Sequence, residues 1–492
     1  MKKTINIWLA LCFQAFLLPA TSLAAKPPNI LLIVSEDNGP EMSCYGEPSV
    51  KTPVLDRLAA EGIRFDRAYV PQAGCSQSRA AYLTGLYPHQ NGQIGLATWK
   101  FRMYREDTPN MVTSLKRAGY RTGIIGKLHV NPASAFPFDF KAVSESNFSR
   151  KKLSRYAEQA GRFFKEAKKP FFLSINYPDA HRPFIKSKAN LPAKPLTADQ
   201  VKTLAYIGLE SEGLRQQVAD YYNCMARLDA LVGDLLAKLK ASGKYEDTLI
   251  VYMGDHGADL IRGKRTCYEG GVRVPLIIRL PKGKVGQERR ELVSSLDLFP
   301  TFLEVSGAEP VSDLPGSSLL PLLRGEQAKW RQYMPTEFHL HSAHNYYPQR
   351  AIRNDRYKLI ENLQPGEVDP GYEFTVNRFF GQQVLAALPK APKTVQAAYA
   401  LMKRPPKYQL YDLQMDPYEF VNLAYDSDHR EILDELSTEL TRWRRATNDP
   451  LLNQENLKRL NAEIKGIRQG NDFNKAKIGQ WKYPEYFFKK GS

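Results

Sequence analysis

The chain has 492 residues, 43% hydrophobic and 25% charged, an ordinary soluble balance in a length beyond the ~250–300 residues at which a single core stops growing, so a large core plus a second domain is expected. Its net charge of +17 points to a polyanionic partner. Nucleic acid is set aside because no nucleic-acid module is recognisable in a chain with export features, which leaves sulfated or uronic-acid polysaccharide, the anionic cell envelope, or a basic surface kept for solubility. After residue 25 only Cys44, Cys75, Cys224 and Cys267 remain, too few and too scattered for a disulfide framework and without metal-site spacing.

In chain order, Lys2 and Lys3 precede an apolar stretch from Ile5 to Leu18 and the small-residue run Ser22-Leu23-Ala24-Ala25. Residues 1–25 read as a removed secretory signal, which makes the protein periplasmic or secreted. The stretch is shorter than the ~20 residues that span a bilayer and is interrupted by Gln14 and Pro19, so no stable membrane anchor is expected after signal removal. Cys12 belongs to the apolar signal core, because Leu11 before it is not the small residue that lipidation needs.

Asn29 to Val34 is a nearly continuous apolar run that ends in Ser35-Glu36-Asp37-Asn38-Gly39. Phe171 to Tyr177 runs into Pro178-Asp179-Ala180-His181, and Thr248 to Met253 into Gly254-Asp255-His256-Gly257. Each reads as a strand buried on both faces of a parallel sheet and discharging into a polar cluster. Thr52-Pro53 and Thr108-Pro109 open helices over Val54–Glu61 and Asn110–Ala118, and Leu228–Leu239 is amphipathic. Strands alternating with helices predict an α/β domain, a mainly parallel doubly wound sheet sandwiched by helices, with ligands beyond the carboxyl ends of the strands. After about residue 330 the pattern loosens: Arg350–Leu363 and Tyr408–Leu413 read as a short antiparallel sheet and Glu431–Arg445 as a helix packed on it. The expected organisation is a signal over 1–25, a catalytic domain over 26–335 and a smaller α+β subdomain over 336–492 that ends in a basic tail.

Carboxylates converging from separate strand ends hold a hard divalent cation, so Glu36, Asp37, Asp255 and His256 read as a metal site with calcium the leading choice; solvated loop or capping residues are the bland alternative. Lys127 and His129 project from one face of extended backbone toward a single anion. Cys75 and Arg79 share a face if a helix starts near Ser76, with Cys75 at the positive end and its thiol pKa lowered; a small buried cysteine beside Gly74 is the alternative. His181 and Lys264 are exposed loop residues by default.

In this order NILLIVSEDNG, GCSQSRAAYLTGLYPHQNG, GKLH, PDAHRP, MGDHG and GKRTCYEGGVRVP resemble the type I, formylglycine-dependent sulfatases of the alkaline-phosphatase superfamily. RAIRNDRYKLI and YDLQMDPYEFVNLA are similar to that family's C-terminal subdomain. The resemblance implies that a formylglycine-generating maturation enzyme oxidises Cys75 to an aldehyde held as its hydrate. One hydroxyl attacks sulfur, and the second later expels sulfate. It further implies that Glu36, Asp37, Asp255, His256 and the residue-75 hydroxyl bind Ca²⁺, and that Arg79 supports the ionised diol. Lys127 and Lys264 would neutralise the sulfuryl oxygens, His129 would take a proton, and His181 would serve the leaving group. Glu36 and His256 depart from the commonest Asp and Asn or Gln, and Gln77 stands where maturation enzymes generally read Pro or Ala.

Within the family His89-Gln90-Asn91-Gly92, GKLHVNP, DAHRP and the late Tyr346-Tyr347-Pro348 with Arg350 resemble the heparan N-sulfatase branch, which implies sulfated carbohydrate substrates, N-sulfoglucosamine or O-sulfated uronic and algal sugars. His181, Lys264, His339, His341, His344 and Arg350 are the expected contacts to substrate. The competing readings are a phosphate or phosphonate ester hydrolase on the same fold and a non-catalytic sulfated-glycan-binding protein with unmodified Cys75.

Overall fold

The computed structural model describes residues 26–144, 146–469 and 480–488; the expected signal over 1–25 and parts of the basic tail lie outside them. Nine strands make the large sheet: β1 (Asn29–Ser35), β2 (Ile63–Tyr69), β3 (Arg121–Gly126), β4 (Phe140–Ala142), β5 (Phe171–Tyr177), β6 (Thr248–Gly254), β7 (Arg273–Arg279), β8 (Gln287–Arg289) and β9 (Val293–Ser294). Their order is β4-β3-β5-β1-β6-β7-β2-β8, with β9 also on β2. From β4 to β6 every pairing is parallel, and β7 enters antiparallel to both β6 and β2.

β1 shows why the sheet is buried on both faces. Leu31 and Ile33 join one core, with the helix Glu212–Ala241, while Ile30, Leu32 and Val34 join another, with the helices Met111–Arg117 and Leu298–Ser306. A strand with helices on both sides has no face left for polar side chains, hence its unbroken apolar run. Truncating such a residue, Leu32→Ala for instance, removes about 2–5 kcal/mol of stability.

Two helix starts differ from their sequence signals. The second helix begins at Met111, and Asn110 caps it by accepting from the Val112 and Thr113 amides at 3.1 Å each, so Thr108-Pro109 only leads in. At Pro53–Ala60 the Thr52 hydroxyl makes no capping bond; the Asp229 carboxylate, from Glu212–Ala241, accepts from the Val54 and Leu55 amides at 3.1 and 2.8 Å. The amphipathic stretch at Leu228–Leu239 is the interior of that 30-residue helix.

A second sheet contains β10 (Met334–Phe338), β11 (Gln349–Arg353), β12 (Tyr357–Asn362) and β13 (Tyr408–Asp412), all antiparallel and in that order. The helix Arg430–Ala446 packs Leu433, Leu436 and Leu440 on Ile352, Leu359 and Leu410. Between β12 and β13 the chain makes a helical excursion, Pro370–Thr375, Val376–Phe380, Gly381–Ala387 and Lys393–Lys403, not visible in the sequence pattern. Among the described residues no helix is long and apolar enough to cross a membrane.

Candidate functional site

Four neighbouring strands deliver one cluster at their carboxyl ends: Lys127 and His129 follow β3, His181 follows β5, Glu36 and Asp37 follow β1, and Asp255 and His256 follow β6. Gly126, at φ 94°, is required where β3 ends, because a Cβ there would lie 2.2 Å from the Asn176 carbonyl oxygen. Asp37 and His129 hold the left-handed region at φ 49° and 58°, a conformation that costs an L residue about 1–3 kcal/mol and that surrounding contacts must enforce.

Cys75 is the first residue of the helix Cys75–Thr84, with Gly74 as its extended cap. Its Sγ lies 3.4 Å from Lys264 Nζ, 3.4 Å from His256 Nε2 and 3.9 Å from Asp37 Oδ1. One turn on, Arg79 donates to Glu36 Oε1 and Asn176 Oδ1 at 2.6 Å each and lies 3.2 Å from Asp255 Oδ2. Lys127 Nζ reaches Glu36 Oε2 at 2.9 Å, and Lys264 Nζ reaches both Asp37 oxygens at 2.9 Å. Three buried carboxylates therefore face three buried cations. Burial alone would push the Cys75 thiol up, but Lys127, Lys264 and His256 outweigh it and hold the thiol well below its ordinary value. Glu36 is likewise held at about 2 despite burial, by Lys127 and Arg79, whereas burial pushes Asp255 up to about 6.

Cys75 opens onto a cavity of about 680 Å³ that Lys127, His129, His181, Lys264 and His341 also line. The His181 ring stacks on Phe148 with centroids 3.7 Å apart, and its Nδ1 donates to the Arg182 carbonyl at 2.6 Å, which leaves Nε2 to act on a ligand. The His181 loop is held from below: Asp179 accepts from Arg150 Nε at 3.0 Å and Arg227 Nη2 at 2.7 Å. Both His129 ring nitrogens are buried without a hydrogen-bond partner, and burial, reinforced by Lys127, lowers its pKa to about 4. His129 is thus a neutral base at neutral pH. His341 Nε2 is also unpartnered, and burial lowers that ring to about 3.

The residues fit a divalent cation. Donor atoms of Asp37, Cys75, Asp255 and His256 all lie within 4.8 Å of one another, as do those of Glu36, Asp37, Cys75 and His181. Asp255 Oδ2 is buried with no hydrogen bond and only the Arg79 ion pair at 3.2 Å, a state that a metal cation would improve. Oxygen-rich donors suit a hard ion such as calcium. Both Glu36 oxygens already hold Arg79 and Lys127 and both Asp37 oxygens hold Lys264, so a bound cation would share these carboxylates with the site's own cations, and Asp255 is the least committed of the three. His256 Nδ1 donates to the Gly257 carbonyl at 2.9 Å, aiming Nε2 at Asp37 Oδ1, 3.2 Å away. Although burial opposes it, Asp255 and Asp37 hold this ring at about 9, so a cation on those carboxylates competes with the ring proton.

Not every expected contact reaches the cavity. Arg350 does not: its guanidinium is fully buried, donates to both Asp449 oxygens at 2.8 Å and to His339 Nε2 at 3.0 Å, and lies 3.6 Å from Glu337. His339 is buried in the same network, with Nδ1 donating to Gln72 Oε1 at 3.2 Å. These two are structural because the second sheet turns them inward, away from the cavity. His344 does line the cavity, with its ring between Trp99 and Phe374 at 5.1 and 5.6 Å.

Sequence reasoning passed over Asn176, which orients Arg79 and whose signal was a polar residue near the end of an apolar strand. It also passed over Arg182, Asp259 and Arg265 on the cavity wall, and Phe374, Arg378 and Phe379 from the helical excursion. Gln77 plays a structural role, since its amide nitrogen donates to the carbonyls of Leu340 at 2.6 Å and Ile94 at 3.2 Å, tying the Cys75 helix to two loops of the cavity wall.

Against known proteins, the Sulfatase family model matches residues 28–308, and that of the N-sulphoglucosamine sulphohydrolase C-terminal region matches 254–372, so neither match extends past residue 372. The chain is 31% identical to human N-sulphoglucosamine sulphohydrolase over 482 residues, 89% of this chain and 93% of that protein. It is 29% identical to an ulvan-active sulfatase of Formosa agariphila over 88% of this chain and 83% of the other. Among solved structures, a protein in complex with its substrate D-glucosamine-2-N,6-O-disulfate superposes at TM-score 0.64 with 23% identity, over 86% of this chain and 99% of that one. The phosphonate monoester hydrolase of Agrobacterium radiobacter does so at 0.65 with 21% identity, over 85% and 96%, a likeness of fold.

Proposed function

The chain belongs to the sulfatase family, a hydrolase of sulfate esters or sulfamates, and on that premise we propose that it removes sulfate from sugars of sulfated polysaccharides, using Cys75 as formylglycine together with Ca²⁺. N-sulfoglucosamine and O-sulfated uronic or algal sugars are the substrates considered. The observation that carries this reading is Cys75 itself, at a helix N-terminus, 3.4 Å from Lys264 and from His256, on the floor of a cavity with four further histidines.

Calcium held by Glu36, Asp37, Asp255, His256 and residue 75 would polarise a sulfuryl oxygen. The formylglycine hydrate would supply an attacking hydroxyl and a second hydroxyl for releasing sulfate. The chain's own side chains do the rest. Arg79, fixed by Glu36 and Asn176, stabilises negative charge on residue 75. Lys127 and Lys264 bring positive charge to the sulfuryl oxygens in a site largely shielded from water. His129, neutral and unpartnered, accepts the proton of the second hydroxyl, while His181, stacked on Phe148, passes a proton to the leaving oxygen or nitrogen. The maturation enzyme acts on the chain as a partner, and residues 1–25 direct it out of the cytoplasm; residues 26–335 form the catalytic unit and 336–492 the subdomain that walls it.

The test is mass spectrometry of the residue-75 peptide together with sulfate release from sulfated glucosamine. An aldehyde at residue 75 and loss of release in Cys75→Ala are expected; an intact thiol with full activity in the variant overturns the reading. Gln77 favours one second reading, in which Cys75 stays a thiol and the pocket only binds sulfated glycan. Tight binding of such a glycan with no sulfate released by protein from its own host would select it.

A further inference from the structure

We propose that Arg378 is the anchor of a second anion-binding subsite in the cavity, one that takes an anionic substituent of the sugar, carboxylate or sulfate, other than the group attacked at residue 75. The inference rests on the reading that the cavity receives a sulfated sugar, and it adds that the preferred sugar is doubly charged.

Five basic side chains line the cavity: Lys127, Arg182, Lys264, Arg265 and Arg378. Four are neutralised or held within the protein. Lys127 pairs with Glu36 and Lys264 with Asp37. Arg265 pairs with Asp259, and Arg182 lies 3.9 Å from the same carboxylate and donates to Gln217 Oε1 at 2.6 Å. Of the five, Arg378 alone has neither a carboxylate nor a hydrogen-bond acceptor among the described residues; it keeps only the faces of Phe374 and Phe379, 5.4 and 5.7 Å from its guanidinium carbon. Both rings line the cavity too. The one other acid on the wall besides Asp259 is Asp220, which already accepts from Gln216 at 3.0 Å.

A guanidinium held on aromatic faces beside a cavity, with its five N–H donors unspent, fits a planar carboxylate or a sulfate oxygen pair. Aromatic support fixes the fork and leaves its edge open. The backbone is built to the same end. Arg378 sits in the single π-helical turn Val376–Phe380, whose extra residue per turn presents both Arg378 and Phe379 to the cavity. This segment lies past the reach of both family matches.

The experiment compares Arg378→Ala and Arg378→Lys with the unaltered protein on glucosamine 2-N-sulfate, glucosamine 2-N,6-O-disulfate and a sulfated disaccharide that carries a uronic acid. Arg378 is exposed, so the variants should fold normally. Arg378→Ala should lower kcat/KM roughly ten- to hundredfold on a doubly charged sugar, mainly through KM, and by less than about twofold on the singly charged one. Arg378→Lys should recover part of the loss. A loss on the disulfate alone identifies sulfate as the occupant, and a loss on the uronate alone identifies carboxylate. Equal losses on all three sugars, or none, overturn the proposal. Calorimetric binding of the same sugars to Cys75→Ala and to Cys75→Ala/Arg378→Ala separates the two layers. If no sugar is turned over yet Arg378→Ala weakens only doubly charged sugars, the hydrolase reading fails and the subsite stands; if Arg378→Ala weakens neither or both alike, the subsite fails.

Discussion

Two buried charge clusters in this protein are made of the same materials and come out differently. Around Cys75, the carboxylates of Glu36, Asp37 and Asp255 meet Arg79, Lys127, Lys264 and His256. Beneath the second sheet, Glu337 and Asp449 meet His89, Arg350, Arg444 and His339. In the second cluster no buried side-chain nitrogen or oxygen lacks a hydrogen bond: His89 bonds Glu337 at 2.6 Å through Nδ1 and the Thr447 carbonyl at 3.2 Å through Nε2, and Asp449 receives two arginines. In the first, Arg79 Nε, both nitrogens of His129 and Nε2 of the adjacent His341 are buried without a hydrogen bond, and Asp255 Oδ2 has only its ion pair with Arg79. Buried polar atoms without partners are rare because each costs about 1–3 kcal/mol. A closed network stabilises the fold, whereas the open one keeps free atoms of the kind that the proposed metal and substrate would use.

The largest effects should come from crossing the two clusters. Lys264→Met should lower kcat/KM by about 10²–10³-fold, the loss expected when one charge-stabilising donor leaves a transition state. Arg350→Met should leave kcat/KM per folded molecule within severalfold and instead cost about 3–5 kcal/mol in urea unfolding, since Glu337 and Asp449 lose a buried counter-charge. If Arg350→Met raised KM like a lost substrate contact while stability held, the distinction between the clusters would collapse.

Acid should find the closed cluster next. Burial alone would raise the Glu337 carboxyl, but His89, His339 and Arg350 outweigh it and hold it at about 2 against an ordinary 4.5. A depressed carboxyl contributes stability that is fully present above about 4.5 and is lost as pH falls toward about 2, at most roughly 3 kcal/mol here. Unfolding free energy measured across that window should fall less steeply in Glu337→Gln; an unchanged slope would mean the carboxylate is not held this way.

That contrast also marks what the sequence could reveal. The apolar runs of β1, β5 and β6 and the polar residues directly after them were legible, because a strand buried on both faces leaves a continuous signature and its end is where ligands collect. Cys75 and Arg79 were legible through helical spacing. The assignment of Arg350 to substrate failed because its true partner, Asp449, lies 99 residues away and no local pattern encodes that pairing. The helical excursion with Phe374 and Arg378 carries short, interrupted helices, which give no sustained 3.6-residue period to read. Asn110 displaced Thr108 as a cap since only it stands next to the first helical turn.

A calcium titration should divide the clusters again. Calcium at about 100 times its dissociation constant should stabilise the protein by about 2.7 kcal/mol, seen as a rise in Tm that chelation reverses. Asp255→Asn should remove most of that rise and Glu337→Gln none of it. Because burial holds Asp255 at about 6, the gain should weaken as pH falls through that value. A calcium response that survives Asp255→Asn intact would place the ion elsewhere.

The smallest effect concerns the residue that links the two clusters. Gln77 donates to the Leu340 and Ile94 carbonyls, yet Gln72 donates to the same two at 3.1 and 3.4 Å, and Gln72 in turn receives His339 of the closed network. Removing the Gln77 amide therefore leaves neither carbonyl bare, and it also removes the buried, unpartnered Gln77 Oε1. Gln77→Ala should cost no more than about 1 kcal/mol, a single net hydrogen bond. The Gln77 amide N–H lies in the first helical turn, where no intrahelical acceptor exists, so even Gln77→Pro should fold. Both variants restore a residue that maturation enzymes generally read, so the aldehyde fraction at residue 75 should rise or stay complete in mass spectra. A cost well above about 2 kcal/mol would instead mean that Gln77 is indispensable to the fold, and that the open cluster leans on the closed one through the helix that starts at Cys75.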